Sequence, residues 1–278
     1  MGFIDLHVHS NISDGSLTPA ELVDTAKKIG LKAFALTDHD TVAGISEALS
    51  AAKNSSVTII PGIEISAEYK GIDIHILGLN IDYKNADFVS KVQEYANQRL
   101  NRNKKMLTKM QEMGFDITDE RIAARFSGVN VITRAHYAIL FTELGYTKDN
   151  DEAFEKYLNP DCPCYIPRVK VPVTEAVKLI LSANGKPVMA HPVLYNKLSD
   201  AELDELTALL KDAGLMGIEA IYSKNKEGDE EKIRLLAEKY NLFITGGSDF
   251  HGDAKPGLYM GTGYGNLAIP EELLQNIL

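Results

Sequence analysis

Long apolar runs, basic segments and cysteines are what this 278-residue chain has little of, and each shortage narrows what it can be. No apolar run approaches the roughly 20 residues that span a bilayer, and no basic segment at the N-terminus leads into a long apolar one. Cytoplasmic residence is the expectation. The two cysteines, Cys162 and Cys164, stand one proline apart. Two are too few for a disulfide framework, and this spacing is not that of a zinc knuckle, so they read as ordinary loop thiols. Positive charge is also short: 29 Lys and Arg against 39 Asp and Glu leave a net charge of −10. That balance argues against broad binding of duplex nucleic acid through a basic face, and any anionic ligand must find its positive charge locally. Repeats and low-complexity stretches are absent. The remainder, 45% hydrophobic and 24% charged, is ordinary for a globular fold.

What is there begins with alternating strand and helix signals. Ile4 to Val8 reads as a strand. Thr18-Pro19-Ala20-Glu21 is a capping box with proline at the first helical position, opening a helix that runs to Ile29 and stops at Gly30. Ala33 to Leu36 is a second strand, followed by a helix from about Val42 to Ala52. Val57–Ile60 and Ile63–Ile65 form a third strand interrupted by Pro61-Gly62, and Ile74–Leu79 a fourth. The alternation then stops. Helical signals cover about Asp87–Met113, Ile122–Leu144 and Asp151–Leu158, and no strand signal returns until Pro187–Ala190, followed by Gly217–Ile221 and Leu242–Thr245. Residues 1–85 and 165–278 are therefore expected to form one α/β domain, with 86–164 a helical insertion. Roughly seven strand–helix units, mostly parallel, predict a closed or nearly closed barrel, with a doubly wound open sheet as the alternative.

Six of the seven histidines fall in polar clusters that also hold Asp or Glu. They are His7 and His9 with Asp14, His39 between Asp38 and Asp40, His75, His191, and His251 two residues after Asp249; Glu64 follows Pro61-Gly62. His7 and His9, two apart on a strand, project from one face. Buried imidazoles without partners are costly, and a divalent metal removes that cost. His39, Glu64, His191, Asp249 and His251 lie at or just past strand ends, the rim where parallel α/β folds place their sites. Any one alone would be ordinary; Glu64, for example, would serve as a salt-bridge partner. Their recurrence points to a metal site. His75 is the exception, falling inside its strand.

The stretches Asp5–Gly15 (DLHVHSNISDG), Ala35–Thr41 (ALTDHDT), Pro61–Ser66 (PGIEIS), His75–Gly78 (HILG), Met189–Pro192 (MAHP) and Gly246–His251 (GGSDFH) together resemble the polymerase-and-histidinol-phosphatase (PHP) domain. The resemblance implies a distorted seven-stranded α/β barrel of TIM type holding two or three divalent metals. It is nearest to small bacterial phosphoesterases with a helical insertion, among them nucleoside 3′,5′-bisphosphate phosphatases. It implies that His7, His9, Asp249 and Glu64 hold one metal, that Glu64 bridges to a second also held by His75 and His191, and that Asp14, His39 and His251 hold a third. Some members have histidine where Asp14 stands. Imidazole-rich ligation favours Mn, Fe or Zn over Mg.

Three divalent ions against three ionised carboxylates leave a local charge of about +3, which suits a phosphate dianion. The expected reaction is in-line attack of a metal-bridging hydroxide on a phosphomonoester, with Glu64 and Asp249 holding the catalytic ions. His136, the seventh histidine, stands in Thr133-Arg134-Ala135-His136. Arg134 is expected to clamp a phosphate and His136 to protonate the leaving oxygen, as an Arg-x-His element does in the resembling enzymes. Arg168 is a further substrate-binding candidate. Asp38 and Asp40 are candidates to anchor ligating imidazoles, and Tyr222 to pack in the rim. The expected substrate is a small nucleotide losing a 3′-phosphate. Rival readings are a 5′→3′ exonuclease on short RNA or DNA ends, a histidinol-phosphate phosphatase, a metallo-amidohydrolase, and a metal-binding scaffold without turnover.

Overall fold

The computed structural model describes residues 3–127, 129, 132–167, 171–195 and 198–278. Arg168 lies outside the described residues. The chain forms two compact units, one of Met1–Gln93 with Lys170–Leu278 and the other of Glu94–Val169.

The first unit is built on strands β1 (Ile4–Val8), β2 (Ala33–Leu36), β3 (Thr58–Tyr69), β4 (Ile72–Leu79), β5 (Val171–Pro172), β6 (Lys186–Met189), β7 (Gly217–Tyr222) and β8 (Phe243–Gly247). Seven of them run in the order β1-β2-β3-β4-β6-β7-β8, and β5 adds to β3 off that path. Past the end of β8 the Asp249 amide donates to the His7 carbonyl and the His9 amide to that of Phe250, both at 2.9 Å. These bonds bring the last strand beside the first, so the sheet nearly closes into a seven-stranded barrel. Helices α1 (Pro19–Ile29), α2 (Ile45–Ala52), α7 (Val173–Ser182), α8 (Asp200–Ala213) and α9 (Asp229–Lys239) belong to this unit. Every residue of β1 and β2 is buried, as expected of strands covered on both faces. The barrel core is aliphatic, with Ile4, Leu6, Ile60, Leu77, Leu79 and Val188 fully buried.

Capping chemistry sets the helix starts. The Thr18 hydroxyl accepts from the Glu21 amide while the Glu21 carboxylate accepts from Thr18, and Ser199 and Glu202 repeat the arrangement at α8. Gly30 and Gly214, both left-handed, close α1 and α8.

The structure departs from the sequence reading in four places. Pro61-Gly62 does not interrupt β3, which runs unbroken for 12 residues. The β3–β4 pair is an antiparallel hairpin joined by Lys70-Gly71, and β4–β6 is antiparallel too, so the sheet is less parallel than expected. The short strand β5 precedes β6. The helical stretch expected over Ile122–Leu144 is two helices, α4 (Asp119–Arg125) and α5 (Arg134–Glu143).

The long helix α3 (Ala86–Glu112) leads into the second unit, which also contains α4, α5 and α6 (Asn150–Ala153). Its core joins Met, Leu and Ile to Phe126, Tyr137 and Phe141, and the Phe115 ring packed against it lies 4.8, 4.9 and 5.0 Å from those of Phe141, Tyr146 and Tyr157, in edge-on contacts. Cys162 and Cys164 are free thiols in this unit. No helix among the described residues is long and apolar enough to cross a membrane.

Candidate metal centre

Period-two geometry on β1 sends His7 and His9 to one side of the sheet, and both are fully buried. The loops that follow β2, β6 and β8 bring in His39, His191, and Asp249 with His251. Glu64 and His75 come from within β3 and β4, where the hairpin register sets Glu64 opposite Leu77 and His75 opposite Ser66.

Glu64 is the hub. Its Oε1 lies 2.8 Å from His75 Nδ1 and 2.9 Å from His191 Nε2. Its Oε2 lies 3.2 Å from His7 Nε2, 3.1 Å from His9 Nε2 and 3.2 Å from His39 Nδ1. Asp249 Oδ1 is 3.4 Å from both His9 Nε2 and His251 Nδ1. Asp14 Oδ1 is 3.2 Å from His251 Nε2, and its Oδ2 is 3.7 Å from His39 Nε2. All nine expected ligands therefore converge. They fall into four overlapping groups whose donor atoms lie within 4.8 Å of one another: His9, Asp14, His39 and His251; His7, His9 and Asp249; His7, Glu64 and His191; His39, Glu64 and His75.

Whether these residues suit metal ions is tested by their unmet hydrogen bonds. His7 Nε2, both ring nitrogens of His9, Asp14 Oδ1 and Glu64 Oε2 are buried without a hydrogen-bond partner, although donor and acceptor atoms stand about 3 Å apart. Five polar atoms left so would cost several kcal/mol in total. Polar atoms that converge without aligning to one another are what a cation placed among them, displacing any proton they carry, would satisfy. The donor set, imidazole with carboxylate, fits a borderline divalent ion.

Charge reinforces the arrangement. Burial opposes ionisation of Glu64, yet His39, His7 and His75 outweigh it and hold the carboxyl well below the usual range. Asp14 is likewise driven down against burial by His39 and His251, and Asp249 by Lys255 and His251. The imidazoles divide. Burial pulls His7 down, but Glu219 and Glu64 overcome it and raise the ring well above its ordinary value; His9 is pushed well below, by burial and then by His251.

Of the residues that hold the centre, Tyr222 was singled out from the sequence, whereas Glu219 and Lys255 were not. Glu219, buried in β7, accepts from His7 Nδ1 at 3.1 Å and from the His191 amide at 2.7 Å. It thereby aims Nε2 of His7 inward. Asp249 Oδ2 is held by the Tyr222 hydroxyl at 2.8 Å and by Lys255 Nζ at 2.7 Å, leaving Oδ1 to the histidines. Asp5 receives the Ser248 and Gly261 amides, which fastens the loops after β8 to β1; burial lifts its carboxyl to about 6. Of the expected anchors, Asp38 holds Ser10 and Ser13, and Asp40 holds Ser66, so both brace loops around the site. A glutamate inside an otherwise apolar strand (Gly217-Ile218-Glu219-Ala220-Ile221) is the sequence signal that would have exposed Glu219. Lys255 carries no such signal.

Arg134 and His136 lie at the start of α5 in the second unit. Arg134 Nη1 donates to the Leu158 carbonyl at 3.3 Å, and its guanidinium lies 5.7 Å from the Tyr165 ring. The Thr133 amide donates to His136 Nδ1 at 2.9 Å.

A barrel whose strand ends gather six histidines and three carboxylates around unmet lone pairs defines a metal-dependent hydrolase of phosphate esters, and relatives agree. The PHP domain profile matches residues 5–159, and the chain belongs to that family. It is 32% identical, over 94% of its own length and 91% of the relative's, to a 3′,5′-nucleoside bisphosphate phosphatase of Chromobacterium violaceum. It is 33% identical, over 89% of each chain, to a 5′-3′ exoribonuclease of Haemophilus influenzae. Among solved structures, an amidohydrolase from Chromobacterium violaceum with bound sulfate and no metal superposes with a TM-score of 0.85 at 31% identity, covering 100% of this chain and 98% of the other.

Proposed function

We propose that the enzyme removes the 3′-phosphate from a nucleoside 3′,5′-bisphosphate, using two or three divalent ions of Mn, Fe or Zn type. The observation that carries this reading is Glu64, whose two oxygens face five imidazoles within 3.2 Å. The bisphosphatase relative, similar over nearly the whole chain, supports the substrate. In this reading His7, His9, Glu64 and Asp249 hold one ion, Glu64, His75 and His191 a second, and Asp14, His39 and His251 a third. His9 and His39 also approach neighbouring groups and are suited to sharing. Bound there, the ions would supply Lewis acidity at the phosphoryl oxygens and positive charge beside the site's three carboxylates.

The chain's own groups do the rest. Glu219 fixes the His7 tautomer, and Tyr222 and Lys255 keep Asp249 from rotating. Arg134 is assigned to an oxygen of the substrate phosphate, where a guanidinium offers paired donors. His136 accepts a backbone N–H at Nδ1, so its neutral ring carries a hydrogen at Nε2; a neutral imidazole is too weak an acid to release it, and it is assigned to hydrogen-bonding the departing 3′-oxygen, whose proton comes from water. Arg168 is assigned to substrate binding. Cytoplasmic residence accords with such a substrate.

The second reading, 5′→3′ hydrolysis of short RNA, is favoured by the exoribonuclease relatives. Phosphate release from adenosine 3′,5′-bisphosphate, histidinol phosphate and a 5′-phosphorylated trinucleotide, assayed with Mn-loaded protein, decides between them. The first reading expects the bisphosphate to have the highest kcat/KM, and a preference for the trinucleotide would replace it with the second.

A further inference from the structure

Residues Pro192–Tyr195 and Leu198 after β6, with Lys224 and Lys226 of the loop after β7 (Ser223–Gly228), border a groove of about 410 Å³ that also takes residues from the first turns of α8 and α9. The volume is that of a small-ligand site. Both loops leave the metal centre directly. Pro192 follows His191 in sequence, and Lys224 stands two residues beyond Tyr222, whose hydroxyl holds Asp249.

The groove is lined by both cationic and apolar side chains. Three lysines, Lys224, Lys226 and Lys232, stand against two acids in its lining: Asp200 pairs with Lys232, and the Asp229 carboxylate accepts the Lys226 amide at 2.8 Å. The ammonium groups of Lys224 and Lys226 form no ion pair among the described residues, in a chain of net charge −10. Val193, Leu194 and Leu203 add apolar surface to the lining. On a loop that follows a strand of the metal centre, these two lysines outnumber the groove's remaining acid, Asp229, and are suited to an anion. Loops at this end of α/β barrels, with the helix N-termini that follow, recurrently receive phosphate.

We infer that this groove binds a phosphate group of the substrate other than the one hydrolysed, with Lys224 and Lys226 as its counter-charges. The inference rests on the phosphoesterase reading and deepens it. The same chemistry suits the second phosphate of a mononucleotide or the next phosphodiester of an oligonucleotide, and substrate length separates the two.

The test is the Lys224→Ala/Lys226→Ala double variant, in which both side chains removed are exposed. Two quantities are measured against the parent. One is kcat/KM for adenosine 3′,5′-bisphosphate and for a 5′-phosphorylated trinucleotide, each divided by that for p-nitrophenyl phosphate. The other is affinity for a fluorescein-labelled 2′-O-methyl trinucleotide at several salt concentrations. The groove predicts that at least one ratio falls about ten-fold, or that affinity falls about ten-fold with a salt slope smaller by about one. A fall in the bisphosphate ratio identifies the mononucleotide's second phosphate; a fall confined to the trinucleotide measurements identifies the diester. Unchanged ratios and unchanged affinity overturn the inference even if the parent is an active phosphatase. Loss of affinity in the variant, when the parent hydrolyses none of the three, leaves the groove standing and removes the proposed activity.

Discussion

At the scale of single residues, the centre is a problem in proton ownership. With Glu64, Asp14 and Asp249 held ionised, protons and metals compete at the imidazoles. Burial lowers His7, but Glu219 and Glu64 prevail and keep the ring protonated in the metal-free protein near neutrality, whereas His9 is already neutral. Metal entry must therefore displace a proton from His7. Affinity for Mn should rise with pH, by about one log unit per pH unit while one proton is released, and calorimetry in buffers of different ionisation enthalpy would count it. Glu219→Gln removes the charge that holds that proton. It should flatten the pH dependence and weaken metal binding by roughly 10- to 100-fold, as loss of an outer partner of a ligating histidine does. Full metal affinity in this variant would show that Glu219 serves the strand and not the site. Residues of this kind were the hardest to foresee. The ligands announced themselves because imidazole and carboxylate recur at strand ends, whereas Glu219 and Lys255 acquire meaning only through what lies opposite them in space.

At the scale of elements, the strand ends had little freedom to be otherwise. Gly247 on β8 packs against β1: a Cβ there would overlap His7 Cβ and lie 2.7 Å from Glu219 Oε1. Gly247→Ala should cost about 1–3 kcal/mol in urea unfolding and displace His7, lowering metal content in the same variant. Parent-like stability would mean that β1 and β8 yield more readily than the burial of β1 and of Gly247 suggests. The strands before the ligands were legible as short apolar runs, and α1 was legible from its capping box. The β3–β4 hairpin was not. Its two-residue turn, Lys70-Gly71, has φ of 48° and 81°, and only the glycine of that pair advertises a left-handed turn. The alternation of strand and helix elsewhere then suggested parallel pairing where the chain reverses. Pro61 misled for a related reason: prolines usually interrupt strands, but here β3 continues through one.

At the scale of the molecule, the barrel and the metal chemistry depend on each other. Buried polar atoms with no partner weaken the metal-free fold, and ions that bind only the native state add stability by mass action. At metal concentrations near a thousand times Kd this amounts to about 4 kcal/mol, or on the order of 5–10 °C in Tm for a chain of this size. Chelation should lower Tm by that amount and Mn should restore it, as followed by calorimetry. In the Glu64→Gln variant the response to chelator should shrink while phosphate release falls roughly 1000-fold or more. The sheet as a whole was readable because each strand-and-helix unit is locally encoded. Its near closure was expected from the number of those units, whereas the bonds that bring it about, from Asp249 and His9 across the first and last strands, were not readable.

The central claim is that distant imidazoles and carboxylates meet to cage a cluster of cations. X-ray anomalous scattering from crystals of the Mn-loaded protein measures this directly. The account predicts at least two peaks, each about 2.0–2.3 Å from its ligand atoms, with Glu64 contributing to both. A map without anomalous density between Glu64 and its surrounding histidines, from protein that retains full phosphate-releasing activity, would contradict it.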